Sequence, residues 1–408
     1  MLRVLKNQSG TKGEAHSMKY DFDQIIDRRQ TCSVKWDFNQ QIFGCEGILP
    51  LWVADMDFQA PGAVVEALVN RAKHGIYGYS DGMDGYYEAL TGWLRDRHSW
   101  EIRRDWISFS PGIVFALYGL VRSLTKPGDK ILLQSPVYPP FFQAIKNNGR
   151  EVVNSQLIVE NGRYTMDFVD LEEKFASGVK MMILCNPHNP VGRVWEREEL
   201  DRLGLLCLAH NVLVISDEIH GDLIYEGHHH IPFASLSPEL AYQSIVCTAP
   251  SKTFNLAGLQ TSNLIIPNAE YRQAFQASRD LTGIHNPNVF GITALEAAYR
   301  YGGDWLNQLM YYLNESVRFL STSFAQELPQ IKMIQPEGTY LIWLDFRELK
   351  MEPKELQKFL VHKAGVGLNP GFQFGPGGEG FARLNIGCSR SVLEEGFERI
   401  RVAISRLF

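Results

Sequence analysis

Five short apolar runs set the terms for this chain: Lys130–Gln134, Lys180–Cys185, Val212–Ser216, Ser244–Cys247 and Asn263–Ile266. They are too short for helices, and near-continuous apolar runs of this length are the mark of strands buried on both faces. Helical patterns at Val114–Leu124 and Glu196–His210 lie between the earlier runs. The alternation predicts an α/β fold, with a large, mostly parallel sheet and helices on both faces. Sheets of that kind take ligands beyond the carboxyl ends of their strands. The polar motifs of this chain sit at those ends.

After about residue 287 the pattern changes. Long helical stretches at Val289–Tyr301 and Trp305–Glu327 lead into apolar runs such as Thr339–Asp345, and then into a last helix, Ser391–Leu407. We expect residues 61–287 to form a large ligand-binding domain. Residues 288–408 form a smaller α+β domain, joined by an N-terminal arm, residues 1–60. With 408 residues, 45% of them hydrophobic and 21% charged, the chain can fill one large core and a smaller one. The Gly-rich segment Gly371–Gly380 reads as a loop. A net charge of −6 argues against a nucleic-acid partner. No run reaches the roughly 18 apolar residues of a membrane helix. Residues 1–17 are polar, too weakly apolar for a signal peptide, and expected to be loose, with Met18 an alternative start. The cysteines (Cys32, Cys45, Cys185, Cys207, Cys247 and Cys388) form no C-x-x-C pair. Those in apolar runs read as core residues of a reduced, cytoplasmic protein.

Four motifs carry chemistry. Ser110-Pro111-Gly112-Ile113 opens a helical run: Ser110 can cap, Pro111 suits the first position, and a helix N-terminus attracts phosphate. Its plain alternative is an ordinary capped helix. Asn186-Pro187-His188-Asn189-Pro190-Val191-Gly192 follows a buried strand, where an Asn can donate to a ligand oxygen or simply shape the loop. Asp217 ends another strand; burying its charge is costly without a cationic partner, unless it caps the next loop. Lys252 follows a third strand within Ala249-Pro250-Ser251-Lys252-Thr253-Phe254-Asn255. Apolar flanks would desolvate its amine, lower its pKa and make it a nucleophile, whereas most lysines are simply exposed.

The spacing of Asn189, Asp217 and Lys252 resembles that of fold-type I enzymes dependent on pyridoxal 5′-phosphate (PLP), the aspartate aminotransferase superfamily. The similarity runs from about Asp21 to the C-terminus. SPVYPPF (135–141), LCNPHNPVGRVW (184–195), DEIHGDL (217–223), HIPFASL (230–236) and SKTFNLAGLQ (251–260) resemble the MalY/PatB-type C–S lyases, or cystathionine β-lyases. The superfamily's usual Arg and Tyr are replaced here by Gln260 and His220, which points to the lyase branch and leaves open how the phosphate charge is balanced on that side.

The resemblance implies roles. Lys252 holds PLP as a Schiff base, Asp217 grips the ring nitrogen, Asn189 bonds the phenolic oxygen and Tyr138 stacks on the ring. The amides of Gly112 and Ile113, with Ser251, hold the phosphate. Arg383 binds the substrate carboxylate as a fork. Tyr79, or its neighbour Tyr77, reaches the phosphate of the other subunit of a homodimer. His220 either approaches the cofactor oxygen or is an ordinary loop histidine. The implied reaction is β-elimination from L-cystathionine, L-cysteine or related S-conjugates. Aminotransfer shares its early steps, and a PLP-binding regulatory protein is a third possibility. His228, His229 and His230 are consecutive and cannot all face one ion from a regular element, so no metal is expected. Trp52, Phe58, Tyr118 and Tyr138 are candidates for the leaving-group side of the pocket, although aromatics are more often core.

Overall fold

The computed structural model describes residues 19–160 and 162–407; the expectation for residues 1–17 lies outside them. Seven strands form the main sheet, in the order Ile107–Ser110, Ser262–Ile265, Ser244–Thr248, Leu213–Asp217, Met181–Cys185, Lys130–Leu133, Glu151–Asn154. Ser262–Ile265 runs antiparallel to both neighbours, and the other pairings are parallel. All five expected runs are strands of this sheet. Its two edge strands escaped the sequence pattern because they are largely half-buried or exposed, and so lack a continuous apolar run.

The period of two along a strand decides what each face carries. Ile131, Leu133, Met181, Ile183, Leu213 and Ile215 pack on the side of helices Ile113–Leu124 and Pro139–Lys146. Leu132, Met182, Leu184 and Val214 pack on the opposite side, against helices Phe168–Ala176 and Arg197–Ala209. Residue 217 is in phase with 213 and 215, so Asp217 points to the face where helix Ile113–Leu124 begins. Glu218 follows it out of phase and turns away. Cys185, Asp217 and Cys247 are in register across three adjacent strands, which therefore end level with one another.

A second, antiparallel sheet runs Lys332–Ile334, Leu341–Asp345, Phe381–Asn385, Asn369–Pro370. The N-terminal segment joins this part of the chain: Leu49–Pro50 pairs with Val366–Gly367, and the Leu51 carbonyl accepts from the Asn385 amide. Long helices at Gly303–Glu327 and Arg390–Ser405 pack beside it. Helix Val289–Tyr301 instead packs on Gly62–His74 and Asp84–His98. The expected loop at Gly371–Gly380 begins with one 3-10 turn, Gly371–Phe374. No helix among the described residues is long and apolar enough to cross a membrane.

Candidate active site

The level strand ends open onto a cavity lined by Ala54, Ile113, Val114, Tyr138, Cys185, Asn189, Asp217, Ile219, His220 and Lys252. Lys252 lies in the short helix Pro250–Thr253, which starts directly after strand Ser244–Thr248. Its amine donates to the Ala54 carbonyl at 2.5 Å. Burial pulls its pKa down to about 8, helped by the Arg383 charge and opposed by Asp55 and Asp217. An amine in that range is partly neutral near pH 7, as a nucleophile or base must be.

Asp217 has one hydrogen bond, from the Ile219 amide at 3.2 Å. Burial pushes its pKa up to about 7, against the pull of that amide and of Lys252. Both sequence alternatives therefore hold: the carboxylate caps its loop and also faces the cavity with capacity to spare. A buried carboxylate so poorly partnered calls for a cationic donor.

The expected cap at Ser110 is not observed. Ser110 ends strand Ile107–Ser110 and its hydroxyl donates to the Gly112 carbonyl at 2.9 Å. Gly112 is the N-cap, and no side chain bonds the first turn of helix Ile113–Leu124. Pro111 precedes the helix rather than opening it. The initial N–H groups of that helix therefore stay available at the cavity edge.

Arg383 stands on the middle strand Phe381–Asn385 of the second sheet. Nη1 donates to Asn189 Oδ1 at 2.9 Å; Nη2 donates to the Trp52 carbonyl at 3.0 Å and to Asn369 Oδ1 at 2.6 Å. Nε is buried without a partner. All its acceptors are neutral, so the guanidinium is held in place with its charge uncompensated. Burial draws its pKa down to about 10, which leaves it cationic.

His220 is buried, and its Nδ1 lacks a partner. Burial and the charges of Lys252 and Arg383 hold its pKa well below the ordinary value, so the ring is neutral. Tyr138 is the N-cap of helix Pro139–Lys146 and lines the cavity. The other aromatic candidates do not line it. Phe58 packs on Phe22 and Tyr312, and Tyr118 accepts from Asn147. Trp52 contributes its carbonyl, to Arg383. Ser251 lies in the first turn beside Lys252, while Gln260 is exposed with φ +48°. Tyr79 is fully exposed, at a distance from these residues in sequence and outside the cavity wall. His230 Nε2 is hydrogen-bonded to the Glu218 carboxylate at 2.9 Å rather than meeting its His neighbours, and no cluster among the described residues could hold a metal.

Two supports had no sequence signal. Asn385 Nδ2 donates to the carbonyls of Val53 and Asp55, and Asn255 brackets Met56, accepting from its amide and donating to its carbonyl. Together they pin the segment that carries Ala54 over Lys252. Tyr340 was visible only as part of an apolar run, yet its hydroxyl donates to Ala54 at 2.9 Å.

The Aminotransferase class I and II family matches residues 47–400. The chain belongs to that family. Within it, the chain is 49% identical over 390 residues to cystathionine β-lyase PatB of Bacillus subtilis, covering 94% of this chain and all of that one. It is 34% identical over 380 residues to protein MalY of Escherichia coli, covering 92% and 97%. The structure of cystalysin from Treponema denticola, which contains a pyridoxal 5′-phosphate cofactor, superposes with a TM-score of 0.93 at 40% identity, covering 96% and 100%. The fold is the PLP-dependent transferase fold of this family, and PLP is the family's cofactor. The cavity suits that group. An under-partnered carboxylate can meet a protonated ring nitrogen, an uncapped helix start can meet a phosphate, and an enclosed amine can meet a carbonyl carbon.

Proposed function

We propose that this chain is a PLP-dependent C–S β-lyase acting on L-cystathionine, L-cysteine or related S-conjugates. The observation that carries the reading is the meeting of Lys252 and Asp217 on the wall of one cavity, each with its pKa displaced towards neutrality. Lys252 carries the cofactor and Asp217 holds its ring nitrogen protonated. Asn189 bonds the phenolic oxygen, Tyr138 covers the ring, and Gly112, Ile113 and Ser251 hold the phosphate. His220, neutral and with a free nitrogen, lies on the cofactor's oxygen side. When bound, PLP supplies a sink for the electron pair left at Cα.

Arg383 receives the substrate carboxylate, which supplies the negative charge that its neutral partners do not. That contact fixes the amino acid at one end, so that Cα comes to rest beside the Lys252 amine. The neutral amine takes the Cα proton. Loss of thiolate from Cβ completes the elimination, and the released enamine hydrolyses to pyruvate and ammonia.

A homodimer with shared sites fits the surface. Ile76, Tyr79, Met83 and Leu281 are exposed apolar side chains. Ser80 ties the first of these segments to Pro287. Tyr77 is engaged within its own chain, through Ala72 and the ring of Phe290, which leaves Tyr79 as the residue to reach a partner's phosphate. Sedimentation at twice the chain mass is the expected result.

Aminotransfer would need a keto-acid acceptor. The test is L-cystathionine alone with the holoenzyme: stoichiometric pyruvate, ammonia and thiol are expected. Strict dependence on an added keto acid would reverse the assignment.

A further inference from the structure

Ala54 presents one carbonyl oxygen to two side chains that are distant from it in sequence and come from different parts of the chain. Lys252 Nζ donates to it at 2.5 Å and Tyr340 Oη at 2.9 Å. A carbonyl oxygen has two lone pairs, so these two donors fill it. The peptide cannot swing aside, because Asn385 holds the carbonyls on either side of Ala54. Tyr340 is buried, and the ring of His220 meets it edge-on at 5.9 Å. Burial keeps its phenol protonated, so it remains a donor throughout the neutral range.

We propose that Tyr340 is a positioning residue for Lys252, fixing the Ala54 oxygen as the resting place of the free amine and, by sharing it, weakening that oxygen's hold on the ammonium form. An acceptor facing one donor binds an ammonium more strongly than one already engaged. The hydroxyl therefore favours the neutral amine that takes the Cα proton. The inference rests on Lys252 being that base.

The test is Tyr340→Phe in the holoenzyme, which keeps the ring against His220 and removes one hydroxyl. The acidic limb of kcat on L-cystathionine should move up by about one pH unit, with kcat near pH 7 lower by about tenfold and KM nearly unchanged. A second readout needs no turnover. PLP recombines with the cofactor-stripped protein only through a neutral amine, so the pH dependence of that absorbance change should shift upward equally. Profiles that superimpose on those of the unmodified protein in both experiments overturn the role of Tyr340. Lys252→Ala run alongside tests the underlying reading separately, because persistence of covalent cofactor there would dismiss Lys252 itself, whatever Tyr340 does.

Discussion

Asp217 and Asp222 are both buried, lie on one short stretch of chain and end in opposite electrostatic states. Asp217 receives a single amide hydrogen bond and its pKa rises to about 7. Asp222 receives three: Trp93 Nε1 at 3.0 Å, His98 Nε2 at 2.8 Å and Thr253 Oγ1 at 2.7 Å. Burial would raise its pKa too, but His98, Thr253 and Trp93 hold it below the usual carboxylate range. Burial alone therefore does not mark a functional acid. What marks it is a shortage of partners on the side that faces a cavity. Asp222 spends its lone pairs inside the protein, bracing Thr253 next to Lys252, whereas Asp217 keeps capacity for a ligand.

The largest effect should come from the residue both carboxylates serve. Lys252→Ala should lower turnover by at least about 10³-fold and abolish the ~420 nm band of the lysine-bound cofactor. A variant that keeps the band would detach this contrast from the chemistry altogether. Next, Asp217→Asn should cost roughly 10²- to 10³-fold in turnover, because an amide cannot hold a ring proton by charge. The same change should stabilise the cofactor-stripped protein. A carboxyl whose folded pKa is raised contributes stability below about pH 4 and loses it as pH climbs through about 7, at roughly 1.4 kcal/mol per unit. The melting temperatures of variant and parent should thus converge below about pH 4, move apart between about pH 4 and about pH 7 and stay apart above that; a gap that is constant across this window would contradict the raised pKa.

The smallest effect, and one of opposite sign, is expected for Asp222→Asn. With its pKa lowered in the fold, Asp222 contributes stability above the unfolded value near pH 4, and that contribution fades as pH falls. Losing the charge should cost about 1–3 kcal/mol at neutral pH, read from the urea midpoint, with a smaller loss of turnover than for Asp217→Asn. Equal stability in the two variants would erase the distinction between the two carboxylates.

Much of the site was legible because each motif needs only its own strand. A strand, then a polar turn, then a helix can be seen one at a time, and Asp217, Lys252, Asn189 and Ile113 all line the cavity. Helix Ile113–Leu124 has its N-cap at Gly112, two residues beyond the Ser110 cap that the sequence suggests. A Ser-Pro-Gly string fits two capping schemes, and only the sheet register decides that Ser110 belongs to the strand. Trp52 illustrates another limit, since its contribution is a carbonyl, which every residue possesses and no sequence pattern reports.

Local order, then, was written in the chain: strands apolar on both faces, and chemical residues stationed where those strands end. Tertiary structure decided the electrostatics. Asp217 and Asp222 are the same residue type and both are buried, and their difference lies in donors from Trp93, His98 and Thr253, far away in sequence. The Ala54 oxygen likewise acquires its meaning from Lys252 and Tyr340 together. Hydrogen-bond saturation is a property of the folded neighbourhood, because it depends on which donors from distant segments arrive within about 3 Å of one atom.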